Sequence, residues 1–338
     1  MTASKPTSPD EIIENLGGCG RFQKYMGFTV HLTKTLISFS VMSTIMLTAT
    51  PKWWCIDGTS SNNTASCAEN DNGTNMCAEK ACILNKTKCD TFEFSGVRTA
   101  VSEFKLLCDL DYIPSTVMSL QASGMLVGSL VAGQLSDTFG RKRPYFAGII
   151  IVVVFNFIGF MSTNWIMFAV SRFFIGIGAG DFISVQHCIL SEFMSAKWRP
   201  WITGFPSWPL QVCALALVSW LIKDWRYIQL FCCLLGIPFL FTWFVIPESF
   251  RWFVAHDRPA DAQKIIERWA KINNKPVPEV GNTVIIEKES TKEMDKKYTF
   301  IHLFKSKELT KITLLLAIDW HVYYPVFSLV ILLFQMID

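Results

Sequence analysis

The chain has 338 residues, of which 51% are hydrophobic and only 17% charged, and its formal net charge is +3. So few polar side chains cannot coat a soluble globule of this length, and so small a charge gives no footing for nucleic acid. The composition describes a polytopic membrane protein.

The first twenty residues are polar, carry Pro6, Pro9 and the Gly17-Gly18-Cys19-Gly20 cluster, and hold no apolar signal core. The expected architecture is all-α. Residues 1–24 form an N-terminal tail, span 1 covers 25–50, a long loop runs over 51–112, and spans 2 to 6 fall within 113–247. A second loop follows at 248–311 and a seventh span at 312–335. The five spans inside 113–247 read as roughly 113–136, 144–162, 165–190, 201–221 and 227–247, each near the ~20 residues that cross a bilayer as helix.

Short-loop lysines and arginines orient the chain. Arg21 and Lys24 precede span 1, Arg141 to Arg143 follow span 2, and Lys197 with Arg199 follow span 4. By the excess of basic residues on the cytoplasmic side, the N-terminus is expected inside. Loop 51–112 is then extracellular, in keeping with its acceptor sequons at Asn62, Asn72 and Asn85. The same loop holds Cys55, Cys67, Cys77, Cys82, Cys89 and Cys108. An even cysteine set in a loop poor in apolar residues reads as three disulfides of undetermined pairing, with free thiols the alternative.

Between spans 2 and 3 stands GQLSDTFGRKRP, Gly133 to Pro144, which sets Asp137, Arg141, Lys142 and Arg143 between two uncharged runs. Those charges belong in a tight turn at a membrane face. Gly133 and Gly140 are expected to allow close helix approach and the turn itself. Within span 4, Arg172 and Asp181 are intramembrane charges, costly unless they face the bundle interior or a partner. They are nine residues apart and point to opposite sides, so Asp181 is expected to pair with Lys34 or His31 of span 1. Lys34 itself, read as lying in the cytoplasmic third of span 1, can alternatively snorkel to the interface. Among the many aromatics, Trp208, Tyr323 and Tyr324 are the candidates for lining a cavity through cation–π contacts. In loop 248–311, Ala262, Ile265, Ile266, Trp269 and Ile272 recur at helical spacing and predict an amphipathic helix packed under the bundle.

The pattern G-x-L-x-D-x-x-G-R-K, complete from Gly133 to Lys142, resembles the signature of the major facilitator superfamily. The GCGRFQ element at Gly18 to Gln23, EFKLLCD at Glu103 to Asp109, SRFFIGIGAG at Ser171 to Gly180, DWR at Asp224 to Arg226 and IPESFRW at Ile246 to Trp252 look like the organic ion transporters of solute carrier family 22. PES-x-RW also resembles sugar porters, which have a short first loop. Phe250 departs from the family's usual proline, and the spacing of Trp320 to Tyr323-Tyr324 departs from its span-7 pattern.

The resemblance implies the N-terminal six-helix half of a major facilitator fold plus helix 7. It implies a plasma-membrane, multi-pass carrier of small organic ions (cation, carnitine-like zwitterion or anion) working by alternating access. It also implies a conformational latch of Gly133, Asp137, Gly140, Arg141 and Lys142, and a charge network of Glu192, Arg199, Glu248 and Arg251. Lys34, Arg172, Asp181, Trp208, Tyr323 and Tyr324 are the candidate substrate path. The alternative is a short product that does not transport but associates with a full-length carrier. No cofactor, metal or enzyme is expected, since no phosphate-binding glycine loop, HExxH or GxSxG occurs.

Overall fold

The computed structural model describes residues 9–55, 83–84, 87–88, 92–94, 96–203, 207–278, 306–312, 314–315 and 318. The chain divides into two units, residues 1–284 and 285–338; everything that follows concerns the first. Tyr323, Tyr324, most of the seventh span, the three sequons and Cys67, Cys77, Cys82 and Cys89 lie outside the described residues.

Among the described residues, six helical segments are long and apolar enough to cross a membrane. A short helix α1 (Pro9–Asn15) precedes α2 (Arg21–Leu47). After the first loop come α3 (Ala100–Phe104), α4 (Ile113–Phe139), α5 (Lys142–Phe160) and α6 (Trp165–Phe193). Then follow α7 (Arg199–Thr203), α8 (Ser207–Leu221), α9 (Trp225–Leu240), α10 (Phe250–Ala255) and α11 (Pro259–Asn273). The described part of the first loop adds two antiparallel ribbons to the helical architecture. Strands β1 (Trp53–Cys55) and β4 (Phe92–Phe94) pair with Trp53 opposite Phe94, and β2 (Ile83–Leu84) pairs with β3 (Thr87–Lys88). Cys108 is disulfide-bonded.

Helix starts follow local chemistry. The Asn164 side chain accepts from the Met167 amide at 2.8 Å to open α6, and Asp224 accepts from the Arg226 amide at 2.9 Å to open α9. The tightest crossing is α4 on α6. A Cβ at Gly124 or Gly128 would run into the carbonyls of Phe173 or Ile177, and one at Gly176 or Gly180 into those of Gln121 or Met125. Two glycine pairs at four-residue spacing, one per helix, thus bring two backbones into contact, which is how helices associate where lipid supplies no hydrophobic drive. The close approach expected at Gly133 is not seen. A Cβ at Gly133 would meet nothing within 4 Å, because this glycine lies beyond the crossing, on a face that no described residue covers.

The amphipathic helix predicted in the second loop is α11. Its Ala262, Ile266 and Trp269 are fully buried, and the Trp269 ring lies 4.9 Å from both Phe22 and Phe193 and 5.5 Å from Phe250. Ile272, expected on that face, is exposed, whereas Trp269, Ala270 and the final residue Asn273 of the same turn face the packing. Asn273 closes the packing: its Oδ1 accepts from the Phe22 amide at 2.9 Å, and its Nδ2 donates to the Leu16 carbonyl at 2.8 Å.

Candidate functional site

Three polar constellations stand out, one at each end of the bundle and one inside it. At the end carrying α1, the chain leaves α4 at Gly140 with φ +93°, a left-handed conformation suited to glycine. This turn aims the amides of Arg141 and Lys142 at the Glu248 carboxylate, with Arg141 N donating at 2.6 Å and Lys142 N at 3.2 Å. Glu248 therefore caps the start of α5 from a distant element and occupies the place a Cβ on residue 140 would need.

The Arg141 guanidinium is a hub. Its Nε donates to Glu192 at 3.1 Å, and its Nη1 donates to Ser136 Oγ at 2.9 Å and Asp137 Oδ1 at 2.5 Å. Burial opposes its charge, but the carboxylates of Glu192 and Asp137 outweigh that and push its pKa above the ordinary arginine value. The side chain of Arg141 is 17% exposed and that of Asp137 is 74% exposed, so Asp137 carries its charge outward. The indole of Trp252 donates to the Asp137 carbonyl at 2.9 Å, and Lys142 sits 4.4 Å over the Trp243 ring.

Arg199 and Arg251 do not reach Glu192 or Glu248 among the described contacts. Both converge on Asp10 of α1, at 3.5 and 2.5 Å, and Arg199 also bonds the Ser191 carbonyl at 3.0 Å. The expected four-residue network is thus two networks: Asp137, Arg141, Glu192 and Glu248 in one, and Asp10, Arg199 and Arg251 in the other. Asp10 escaped sequence reasoning because it sits in a tail that reads as merely polar. Its one signal is an acidic pair, Asp10-Glu11, opening a short apolar helix.

Inside the bundle, Arg172 of α6 is fully buried and its Nη1 donates to the Ser40 carbonyl at 3.0 Å and to Thr44 Oγ1 at 3.2 Å. Thr44 bonds Gln121, Gln121 Nε2 donates to the Val41 carbonyl at 3.1 Å, and Asn156 Nδ2 donates to Ser40 Oγ at 2.9 Å. This seam joins α2, α4, α5 and α6 through residues with no distinctive spacing. The pairing expected for Asp181 with Lys34 or His31 does not form among the described residues. The Asp181 carboxylate packs against Gly148 of α5. His31 instead bonds Ser207 Oγ at 3.2 Å and the Ile202 carbonyl at 2.9 Å, and Lys34 lies 5.7 Å from the Trp208 ring. The position of Lys34 also differs. Because α2 begins at Arg21, Lys34 is its central residue and not one in an outer third.

At the opposite end, Glu103 of α3 collects three groups. It accepts from Trp225 Nε1 at 2.7 Å and from Arg226 Nη2 at 2.6 Å, with Arg98 at 3.6 Å. Arg226 also donates to the carbonyls of Phe160 and Ser162, so the end of α5, the start of α9 and the loop before α4 are held at one point. Burial would raise the Glu103 carboxyl, but the bonds from Arg226 and Trp225 outweigh it and hold the group below the ordinary glutamate range. The residues appear in the sequence as two separate motifs, EFKLLCD and DWR, with nothing in either to show that they meet.

A bundle of membrane-length helices, tightened by paired glycines and closed by a charged turn after its second span, defines the N-terminal half of a major facilitator fold. The family described as "Sugar (and other) transporter" matches residues 76–324, and the chain belongs to it. It is 28% identical to mouse "Solute carrier family 22 member 4" over 92% of the chain and 63% of that protein. It is 25% identical to the Drosophila melanogaster "Organic cation transporter protein" over 93% of the chain and 63% of the relative. Rat "Solute carrier family 22 member 7" is 31% identical over 68% of the chain and 44% of its own length. Among solved structures, the proton:xylose symporter XylE bound to 6-bromo-6-deoxy-D-glucose superposes with a TM-score of 0.52 at 15% identity, over 80% of this chain and 52% of that one. The inward-open xylose transporter from E. coli gives 0.51 at 15% identity, over 82% and 57%. The chain thus spans 63% of the length of the first two relatives, and it is a multi-pass membrane protein of the sugar (and other) transporter family that is similar to members of solute carrier family 22.

Proposed function

We propose that this chain supplies the N-terminal half of a plasma-membrane carrier that moves small organic ions by alternating access, with its N-terminus in the cytoplasm. The observation that carries the reading is the Arg141 hub. One guanidinium ties the end of α4 to the end of α6, while Glu248 fixes the start of α5, and Asp137 remains three-quarters exposed. Such a cluster holds the second, third and fourth spans and the segment after the sixth together at this end and leaves a carboxylate pointing outward to latch against another part of the carrier in one state and release it in the other. In this orientation the Arg141 and Asp10 clusters face the cytoplasm and the Glu103 cluster faces outward, next to the cysteine-rich loop with its sequons Asn62, Asn72 and Asn85.

The test is uptake by cells expressing the full-length gene product. Asp137→Asn is expected to cut transport rate at least tenfold while surface biotinylation shows normal delivery, since it removes the outward charge and leaves the buried partners in place. Uptake equal to wild type would remove the latch.

A further inference from the structure

One carboxylate inside the bundle has no counterpart, and its setting limits what it can bind. Asp181 lies well within α6, sixteen residues after Trp165 and twelve before Phe193. At 1.5 Å per residue it stands about 24 Å from one end of the helix and about 18 Å from the other, too deep for so short a side chain to reach an interface. It is 6% exposed, and its Oδ1 is buried with no hydrogen-bond partner among the described residues. Its Oδ2 sits where α5 comes closest: a Cβ on Gly148 would lie 3.3 Å from that oxygen and 2.7 Å from the Gly178 carbonyl. The glycine makes the room that the carboxylate fills and has no side chain to bond it.

Among the described residues no cation answers it. Helix α4 is uncharged from Ile113 to Ser136, and α5 from Pro144 to Phe160. The titratable group that α5 brings to this level is Tyr145, whose ring lies 4.7 Å from that of Phe182; a phenol is neutral at physiological pH. On α2, His31 bonds Ser207 and the Ile202 carbonyl, and Lys34 lies over Trp208. On α6 itself, Arg172 is taken by Ser40 and Thr44, His187 bonds the Ile183 carbonyl at 2.7 Å, and Cys188 lies by the Arg141 hub. A metal ion would need several more oxygens, and among the described residues no group of acidic or ligating side chains gathers there. An ionised carboxylate shut away from water with neither cation nor donor is so costly that the group neutralises by binding a proton.

We propose that Asp181 is a proton-binding site and that the carrier is proton-coupled through it. The carboxyl holds a proton while α5 is closed over it at Gly148, and ionises when the other state of the cycle lets water reach it. The proton is taken from the aqueous phase on one side of the membrane and released to that on the other, and no other bond forms or breaks. The inference rests on the carrier reading above and names its coupling ion.

Infrared difference spectroscopy of the purified full-length gene product reads the site without any substrate. Wild type is expected to show a protonated-carboxyl C=O band that falls as pH is raised; the band is expected to be absent from Asp181→Asn and displaced in Asp181→Glu. The glutamate variant keeps the reading decisive if the asparagine variant does not reach the membrane. No such band at any pH, a band that no pH removes, or one that Asp181→Asn retains unchanged overturns the proton site. Coupling is read in proteoliposomes with tetraethylammonium, L-carnitine and para-aminohippurate as probes. An imposed pH difference is expected to drive accumulation of a carried probe, to lose that effect when a protonophore collapses it, and to have no effect on Asp181→Asn. Carriage indifferent to the pH difference overturns proton coupling and leaves the carrier intact. Carriage of none of the three probes by correctly inserted protein overturns the carrier reading and the coupling with it, whatever the infrared band shows.

Discussion

Gly140 shows how much one backbone angle decides. Its φ of +93° points two amides at Glu248, and a side chain there would both strain the turn and displace that carboxylate. Gly140→Ala is expected to destabilise the purified protein by about 1–3 kcal/mol, seen as a lowered Tm in detergent; an unchanged Tm would mean the turn relaxes without cost. Glu103 makes a pH prediction. Its carboxyl is held below the ordinary value of 4.5, so the folded state favours the charged form. The stability it contributes is complete above about pH 4.5 and is lost as pH falls through the lower, folded value. Thermal unfolding of wild type and Glu103→Gln should therefore differ most near neutral pH and converge in strong acid. A difference that grows on acidification would contradict the assignment.

Single helices were the easiest features to read in the sequence, and their junctions the hardest. Uncharged runs bounded by polar punctuation located all six described spans to within a few residues, because hydrocarbon thickness leaves little freedom in length. The charged turn at Gly133 to Pro144 announced itself for the same reason. Depth within a helix was less legible. Lys34 moved from an outer third to the centre once α2 was seen to start at Arg21, because that first turn carries basic residues that hydropathy assigns to the tail. The glycines of α4 show the limit most clearly. Gly124, Gly128 and Gly133 look equivalent in a string of letters, and only the facing helix separates them. Gly128→Leu is expected to block the α4/α6 crossing and to abolish surface delivery, while Gly133→Val, whose Cβ meets open space, is expected to leave delivery close to wild type. Surface biotinylation of the two variants reads the difference directly; equal delivery would mean that the crossing yields.

Across the whole molecule, contacts between residues far apart in sequence fix the polar sites, and those are the contacts a single sequence does not display. EFKLLCD and DWR were both visible as motifs, yet their meeting at Glu103 joins residues more than a hundred positions apart. Asp10 answers two arginines, Arg199 and Arg251, from helices that lie far along the chain. Hydrophobic periodicity did foresee α11, because an amphipathic face must be covered, though not what covers it. Trp269→Ala removes a ring packed against three others and is expected to cost about 3–5 kcal/mol. It should show as loss of monodisperse protein on gel filtration; a sharp wild-type peak would argue against α11 as a structural support.

The contacts of α1 and α11 have a mechanical corollary. Asp10 clasps residues that follow the fourth and sixth spans, and Asn273 grips the backbone where α2 begins, so the two extremities of a stretch of some 260 residues are fastened to each other. A belt buckled in this way does not fall open when cut once. A protease nick anywhere along the first loop should yield two fragments that travel together through purification, held both by this buckle and by the Arg172 seam inside the bundle.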